Sequence, residues 1–360
     1  MTHFIRSVAA AMVAPLSLIL STGIASTANA QETKNDQPQK ADNTTTAIEL
    51  YEGPQYKTST NPRYPSKDQS AGIEGWVEVG YMVDPNGKPY EFTILNSSGD
   101  NKSLHDASLK ALQEWTFKPA TLNGSPIDSG FSTKFIFRFT DLTTSASSDF
   151  VGAFKKFEAA VAAKDKVAAE ALLKKLKVQN LYEDAFYGLA QYEYAELQGD
   201  VGHQLAGIRR AVAGEKSATY LPKKLFRFAI QRQLALELAT RDFASALITW
   251  PIMKSVETDK ALLQKYEASI KEVRALQSDR QSFRVAASLD DGRWNYRLFK
   301  RKFHVAVKEG FVTQIKLRCD KNYVFFQFDP TIEYQIPEQY GACAIEVVGD
   351  GNSKFDLIQG

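Results

Sequence analysis

The sequence is poor in the residues from which active sites are usually built. Only four histidines occur in 360 residues, and His3, His105, His203 and His304 are scattered. None has the paired spacing that a zinc site requires. The serine-rich stretch Ser145 to Ser148 lacks the Gly-x-Ser-x-Gly frame of a nucleophile elbow, and no glycine-rich loop is built to cradle phosphate. Asp84-Pro85-Asn86-Gly87 begins like a calcium loop but lacks the later acidic ligands, so it reads as a turn, as does Asp290-Asp291-Gly292. The acidic pair Glu183-Asp184 falls in a helical stretch, where a solvated face is the ordinary reading. These absences argue against an enzyme, a metal centre and a bound cofactor.

Charge of one sign is also missing. Forty-four basic residues oppose 42 acidic ones, for a net charge of +2. Removing the first thirty residues takes away only Arg6, leaving 43 − 42 = +1. Nothing in that balance suggests nucleic acid or an anionic membrane surface as a partner. Cysteine is limited to two residues, Cys319 and Cys343, and none follows the N-terminal apolar run, which excludes a lipoprotein anchor.

What is present begins with that run. His3 and Arg6 precede an apolar stretch, Val8 to Ile24, interrupted by Pro15, Ser17, Ser21 and Gly23; Ala28-Asn29-Ala30 then supplies a small-x-small cleavage pattern before Gln31. A spanning helix needs about 20 mostly apolar residues. Residues 1–30 therefore read as a signal peptide cleaved after Ala30, placing the mature chain in the periplasm. The alternative is an inner-membrane anchor facing the periplasm. In an exported chain the pair Cys319 and Cys343 reads as a disulfide, with a stabilisation of about 3 kcal/mol for a loop of this length. A metal site would need more ligands, and His304 is the only candidate nearby. Residues 31–60 are polar, contain only Pro38 and Pro54, and read as a flexible lead rather than a stiff polyproline spacer.

The first folded unit follows. Trp76 to Val83 is rich in β-formers, Asp84-Pro85-Asn86-Gly87 supplies a turn, and Tyr90 to Leu95 returns as the second strand. Ser103 is placed to cap a helix from Leu104 to Glu114, in which Leu104, Ala107, Ala111 and Trp115 share a face. After a turn at Asn123-Gly124, Phe131 to Phe139 forms a last strand with Phe131, Thr133, Phe135, Phe137 and Phe139 on one face. The order is β-β-α-β.

Pro62-x-Tyr64-Pro65, Gly75-Trp76-Val77, Asp84-x-x-Gly87 and the run from Leu104-x-Asp106-Ala107 through Ala111, Trp115 and Phe117 to Pro119-Ala120 follow one another in a fixed order. In that order and spacing, residues 61–140 resemble the C-terminal domain of TonB-family energy transducers. The resemblance implies that a short extended peptide from an outer-membrane TonB-dependent receptor adds as a strand to an exposed sheet edge, supporting TonB-dependent transmembrane transport. It makes Phe131, Thr133, Phe135, Phe137 and Phe139 of the last strand candidate partner-binding residues. Asn61, Tyr64 and Pro65 form the second candidate contact, with Asn61 where the family often carries Gln. Family members are normally anchored in the inner membrane through a Pro-rich linker, and their domain usually ends the chain. Here about 220 residues follow. An anchored chain would also meet an inner-membrane motor complex. The alternative is an envelope scaffold or peptidoglycan-associated interaction protein outside transport.

From Asp149 to Ser282 the apolar period becomes helical, as in Phe150, Phe154, Phe157 and Val161. Tyr187-Gly188-Leu189-Ala190, Tyr192, Ala195 and Gly199-Asp200, followed by Leu205, Ala206 and Ala211, resemble a tetratricopeptide hairpin. A poorer match runs through Leu234, Leu238, Asp242-Phe243, Ala246-Leu247 and Trp250-Pro251, and a plain helical bundle is the alternative. Residues 283–360 return to strand, with β-rich runs at Phe303–Val307, Val312–Arg318, Tyr323–Phe328 and Cys343–Val348, and predict a small β-sandwich-like domain closed by the disulfide. The whole is an α+β multidomain chain: a TonB C-terminal-like β-β-α-β domain, an all-α TPR-like helical region and a β-rich domain.

Overall fold

The computed structural model describes residues 50–99, 101–139, 145–213, 220–289 and 291–360. The expected signal peptide, its cleavage site, most of the lead and the Asp290 turn position lie outside the described residues. Three regions follow one another, and the architecture is α+β and multidomain.

The N-terminal region is built on strands β3 (Gly75–Val83), β4 (Pro89–Ser97) and β8 (Ser129–Phe137), in the antiparallel order β4-β3-β8. The turn joining β3 to β4 has the expected local chemistry: Asp84 Oδ1 accepts from the N–H groups of Asn86 and Lys88, each at 2.8 Å. Gly87 is required there, because it has φ of 79° and a Cβ would stand 2.0 Å from the Phe117 carbonyl oxygen. Helix α2 (Lys102–Gln113) covers one face of this sheet. Its cap is Asn101, whose side chain accepts from the N–H groups of Ser103 and Leu104. Ser103, the expected cap, lies inside the first turn and donates instead to the buried Asp68 carboxylate. Asp68 belongs to the short helix α1 (Ser66–Ala71), which Pro65 opens.

The expectation of a flexible lead to residue 60 fails from Tyr51 onward. Strand β1 (Tyr51–Glu52) pairs with β6 (Ala120–Leu122), and β2 (Gln55–Thr58) pairs with β5 (Thr116–Lys118). Strand β7 (Ser125–Ile127) completes the hairpin turned by Asn123-Gly124, both in left-handed backbone. The physical reason lies in one side chain. The Tyr56 ring sits 5.4 Å from both Trp115 and Phe117 and 5.6 Å from Phe131, aromatic contacts that an otherwise polar stretch conceals.

Among the described residues seven helices follow: α3 (Ser148–Ala162), α4 (Lys166–Leu173), α5 (Leu181–Gln198), α6 (Val201–Ala211), α7 (Lys223–Ala239), α8 (Phe243–Val256) and α9 (Lys260–Ser278). Helices α5 and α6 form a tight hairpin. Gly199 closes the first in left-handed backbone, and Asp200 caps the second by accepting from His203 N–H. Gly188 and Gly207 let the two backbones touch: a Cβ on the former would lie 2.5 Å from Ala211 N, and on the latter 2.5 Å from Tyr192 N. No described helix is long and apolar enough to cross a membrane.

The C-terminal region contains two four-stranded antiparallel sheets. One is ordered β10 (Arg293–Arg297), β15 (Cys343–Gly349), β12 (Val312–Cys319), β13 (Asn322–Gln327). The other is ordered β14 (Tyr334–Gln335), β11 (Lys302–Glu309), β16 (Lys354–Gln359), β9 (Phe283–Ser288). Ile315, Leu317, Ile345 and Val347 from the first sheet meet Phe303, Val305, Phe355 and Leu357 from the second in one core. Cys319 and Cys343 are directly opposite in the register and are joined by a disulfide.

Candidate partner-binding strand edge

Strand β3 is flanked on both sides, so β8 is a terminal strand, pairing with β3 from Val83↔Ser129 to Gly75↔Phe137. On its other side no described strand pairs with it. Alternate residues along its nine positions therefore turn backbone N–H and C=O groups outward, over about 30 Å at ~3.3 Å per residue.

The candidate aromatics of this strand do not face outward together. Phe135 and Phe137 are buried in the core with Trp115, Leu104 and Leu112, so a partner has no access to their rings. Phe131 is half-buried against Tyr56, Tyr81 and Phe117. The Thr133 hydroxyl sits between two tyrosine hydroxyls, 2.9 Å from Tyr81 and 3.0 Å from Tyr56. The shared face found in the sequence is the core face, because a sheet covered by a helix turns its large apolar side chains toward that helix. Phe139 lies beyond the end of the strand and is 42% exposed.

The two candidate groups nevertheless meet at one end of β8. Tyr64 stacks on Phe139 with centroids 4.9 Å apart and meets Phe137 edge-on at 5.5 Å. Its hydroxyl donates to the Ile73 carbonyl at 2.6 Å, and burial, reinforced by Glu74 and then Asp68, pushes its pKa up to about 12. Pro65 is the N-cap of α1, and Asn61 is exposed. The Phe139 N–H donates to Glu74 Oε1 at 3.3 Å, which ties the end of the strand to the same corner.

The outer face of the sheet holds what pattern reading missed. Trp76 is buried among the helices, and its indole N–H donates to Asp184 Oδ2 at 3.0 Å. Asp184 also accepts from Arg210, whose guanidinium lies 4.5 Å from the Tyr187 ring centre and donates to the Ser98 carbonyl. Lys134 of β8 stands 4.7 Å over the Trp76 ring and donates to the Ala213 carbonyl at 2.8 Å. Glu183, expected on a solvated face with Asp184, is fully buried and accepts from the N–H groups of Ser147 and Gln179, each at 2.7 Å. The pair was misread because a helix packed on both sides has no solvated face. The only hint was the cationic Arg209-Arg210 pair one helix later.

No group of three or more His, Cys, Asp or Glu side chains is placed to hold a metal ion among the described residues. Residues 60–139 match the family described as Gram-negative bacterial TonB protein C-terminal.

These residues form a TonB C-terminal domain.

A relative named Protein TonB, from Vibrio cholerae serotype O1, is 36% identical over 66 residues, covering 18% of this chain and 27% of that protein. The chain thus spans about a quarter of the length of that curated relative. A solution NMR structure of the Pseudomonas aeruginosa TonB CTD is 23% identical and covers 25% of this chain and 91% of that one, with a TM-score of 0.23. The TonB C-terminal domain occupies the first of the three regions, and its last strand is one of the two terminal strands of the sheet, β4 being the other.

Proposed function

We propose that this chain is a periplasmic, non-catalytic TonB-type envelope protein that takes up an extended peptide on the free edge of β8, in support of TonB-dependent transmembrane transport. The observation that carries the reading is the terminal position of β8 in a domain of the TonB C-terminal family. Backbone groups on that edge supply the affinity, and the Tyr64–Phe139 stack with Asn61 and Pro65 beside it supplies a side-chain contact at one end. Phe131, Thr133, Phe135 and Phe137 hold the strand from behind. The partner is an outer-membrane TonB-dependent receptor, or another envelope protein that offers an extended segment. The helical region, read as a tetratricopeptide-like platform, leaves room for a second envelope partner. Export by a signal peptide cleaved after Ala30 places the chain in the periplasm.

Hydrogen exchange on the full chain, with and without peptides from the N-terminal segments of outer-membrane receptors, tests the reading. Protection of amides within Ser129–Phe137 is the expected result. Binding without protection there, or no binding by any such peptide, would sink it.

A further inference from the structure

A strand laid beside β8 would sit about 4.8 Å away and send its side chains alternately to the two faces of the sheet. The structure offers each face a different surface. On the core side stands Tyr56, 50% exposed, with its ring packed on Phe131. On the other side a cleft of about 440 Å³ opens between the sheet, helices α6 and α8, and the C-terminal strands; Gly130, Phe131 and Ser132 of β8 form part of its wall.

The C-terminal region rests directly on the first residues of β8. Ser129 Oγ donates to the Asp320 carbonyl at 2.5 Å, and the Tyr51 hydroxyl donates to the same oxygen at 3.0 Å. Gly130 is needed at this joint, since a Cβ would lie 2.8 Å from the Cys319 carbonyl oxygen. Cys319 and Cys343, joined by the disulfide, thus line the cleft where the C-terminal region meets the first residues of β8.

Three arginines line that cleft. Arg209 is neutralised by Asp242 at 2.6 Å and Glu237 at 2.9 Å. Arg318 is neutralised by Glu346 at 2.7 Å, with Glu91 at 4.0 Å. Arg297, exposed on β10, has no ion pair among the described residues. Two carboxylates line the cleft as well: Asp242, paired with Arg209, and Asp320, which accepts the Ala342 N–H at 3.0 Å.

Resting on the strand-addition reading above, we propose that the cleft selects the partner: an extended peptide whose apolar residues face Tyr56 and whose alternate positions carry an acidic residue paired with Arg297. The C-terminal region thereby supplies specificity to a strand that belongs to the TonB C-terminal domain.

Three synthetic nine-residue peptides, one residue for each position of β8, test this with the full chain by fluorescence anisotropy. They alternate valine with Glu, Gln or Lys. The expected order of affinity is Glu, then Gln, then Lys. Arg297→Glu should weaken the Glu peptide about 10-fold and strengthen the Lys peptide, and Arg297→Gln should remove the preference. These variants keep the fold, because Arg297 is exposed and unpaired. Tyr56→Ala should weaken all three alike. An affinity order that ignores Arg297 while all peptides bind would overturn the proposal and leave strand addition standing. Equal binding by backbone N-methylated versions, or no binding at all, would overturn strand addition itself and the proposal with it.

Discussion

The three-stranded sheet of β3, β4 and β8 keeps only one of its faces for a core of its own, whereas the C-terminal sheets face each other and enclose theirs. On the first sheet, Val77, Val79 and Tyr81 pack under α2, but Trp76 belongs to the core of the helices. The C-terminal region needs no such loan. It is closed by its disulfide and touches the helices through an aromatic joint of Phe243, Phe283 and Phe299, with centroids 5.1 to 6.0 Å apart, and through hydrogen bonds such as that from the Tyr296 hydroxyl to the Arg241 carbonyl. The lesson is that the binding strand is held from behind by two neighbours, so its order depends on side chains far from it in sequence.

The largest effect expected from breaking this contrast is at Trp76. Trp76→Ala removes a buried indole and one donor to Asp184, and should cost about 3–5 kcal/mol. Hydrogen exchange should then speed up in both β3 and α5, while Leu357→Ala should speed it up only among the C-terminal strands. If Trp76→Ala loosened β3 alone, the outer face would not be shared.

Reducing Cys319–Cys343, or replacing both by Ser, should destabilise the C-terminal region by about 3 kcal/mol in chemical denaturation. Amides of Ser129 to Ser132 should exchange faster, whereas those of α5 should not change. Unaltered exchange in β8 would mean that the joint at Asp320 does not support the edge.

The helical layer should make stability depend on pH. Burial, with Glu158 and Glu196 adding to it, pushes the Glu193 carboxyl up to about 8, and burial pushes Glu158 up to about 7 against the pull of Lys155. Both folded pKa values exceed the unfolded one, so the folded state holds protons that the unfolded state has released. That contribution is fully present below pH ~4.3 and is lost as pH rises through about 8, with a slope of up to about 1.4 kcal/mol per pH unit per group. Melting temperature should therefore fall between pH 5.5 and 8.5 (by calorimetry), and Glu193→Gln should flatten the curve. A flat wild-type profile would show that these carboxyls are not held neutral.

The smallest effect belongs to the hydroxyl chain behind the edge. Thr133→Val removes the partner shared by Tyr56 and Tyr81 and should cost about 1 kcal/mol. Its sharper readout is the mobility of Tyr56, visible by NMR line shape, with the far face of β8 unchanged.

Legibility in the sequence followed the locality of the interaction. The β3–β4 hairpin, α2 and the Asn123-Gly124 turn were readable, because turn chemistry and periodicity act over a few residues. So were four of the C-terminal strands, but β9, β10, β14 and β16 were missed: β14 has only two residues, and in the others charged side chains such as Arg284, Arg293, Arg297 and Asp356 dilute the β-prone content of a short run. Within the candidate site, Tyr64 and the last strand were found, but the facing was not. A strand shows which residues share a side and says nothing of which side meets a partner. Strands β1 and β2 were read as part of the lead because each is held through a single tyrosine, Tyr51 by its hydroxyl and Tyr56 by three rings, too little to make a period.

Local chemistry alone was enough to determine the order β3, β4, α2 and β8, the family of residues 60–139 and, through compartment and count, the pairing of Cys319 with Cys343. Only packing decided that Glu183 and Asp184 are buried, that Trp76 leaves its own sheet's core, and that the Cys319 backbone meets Gly130 of β8. The reason is physical: periodicity records whether a side chain avoids water, whereas its partner is chosen by surfaces that meet a hundred or more residues away.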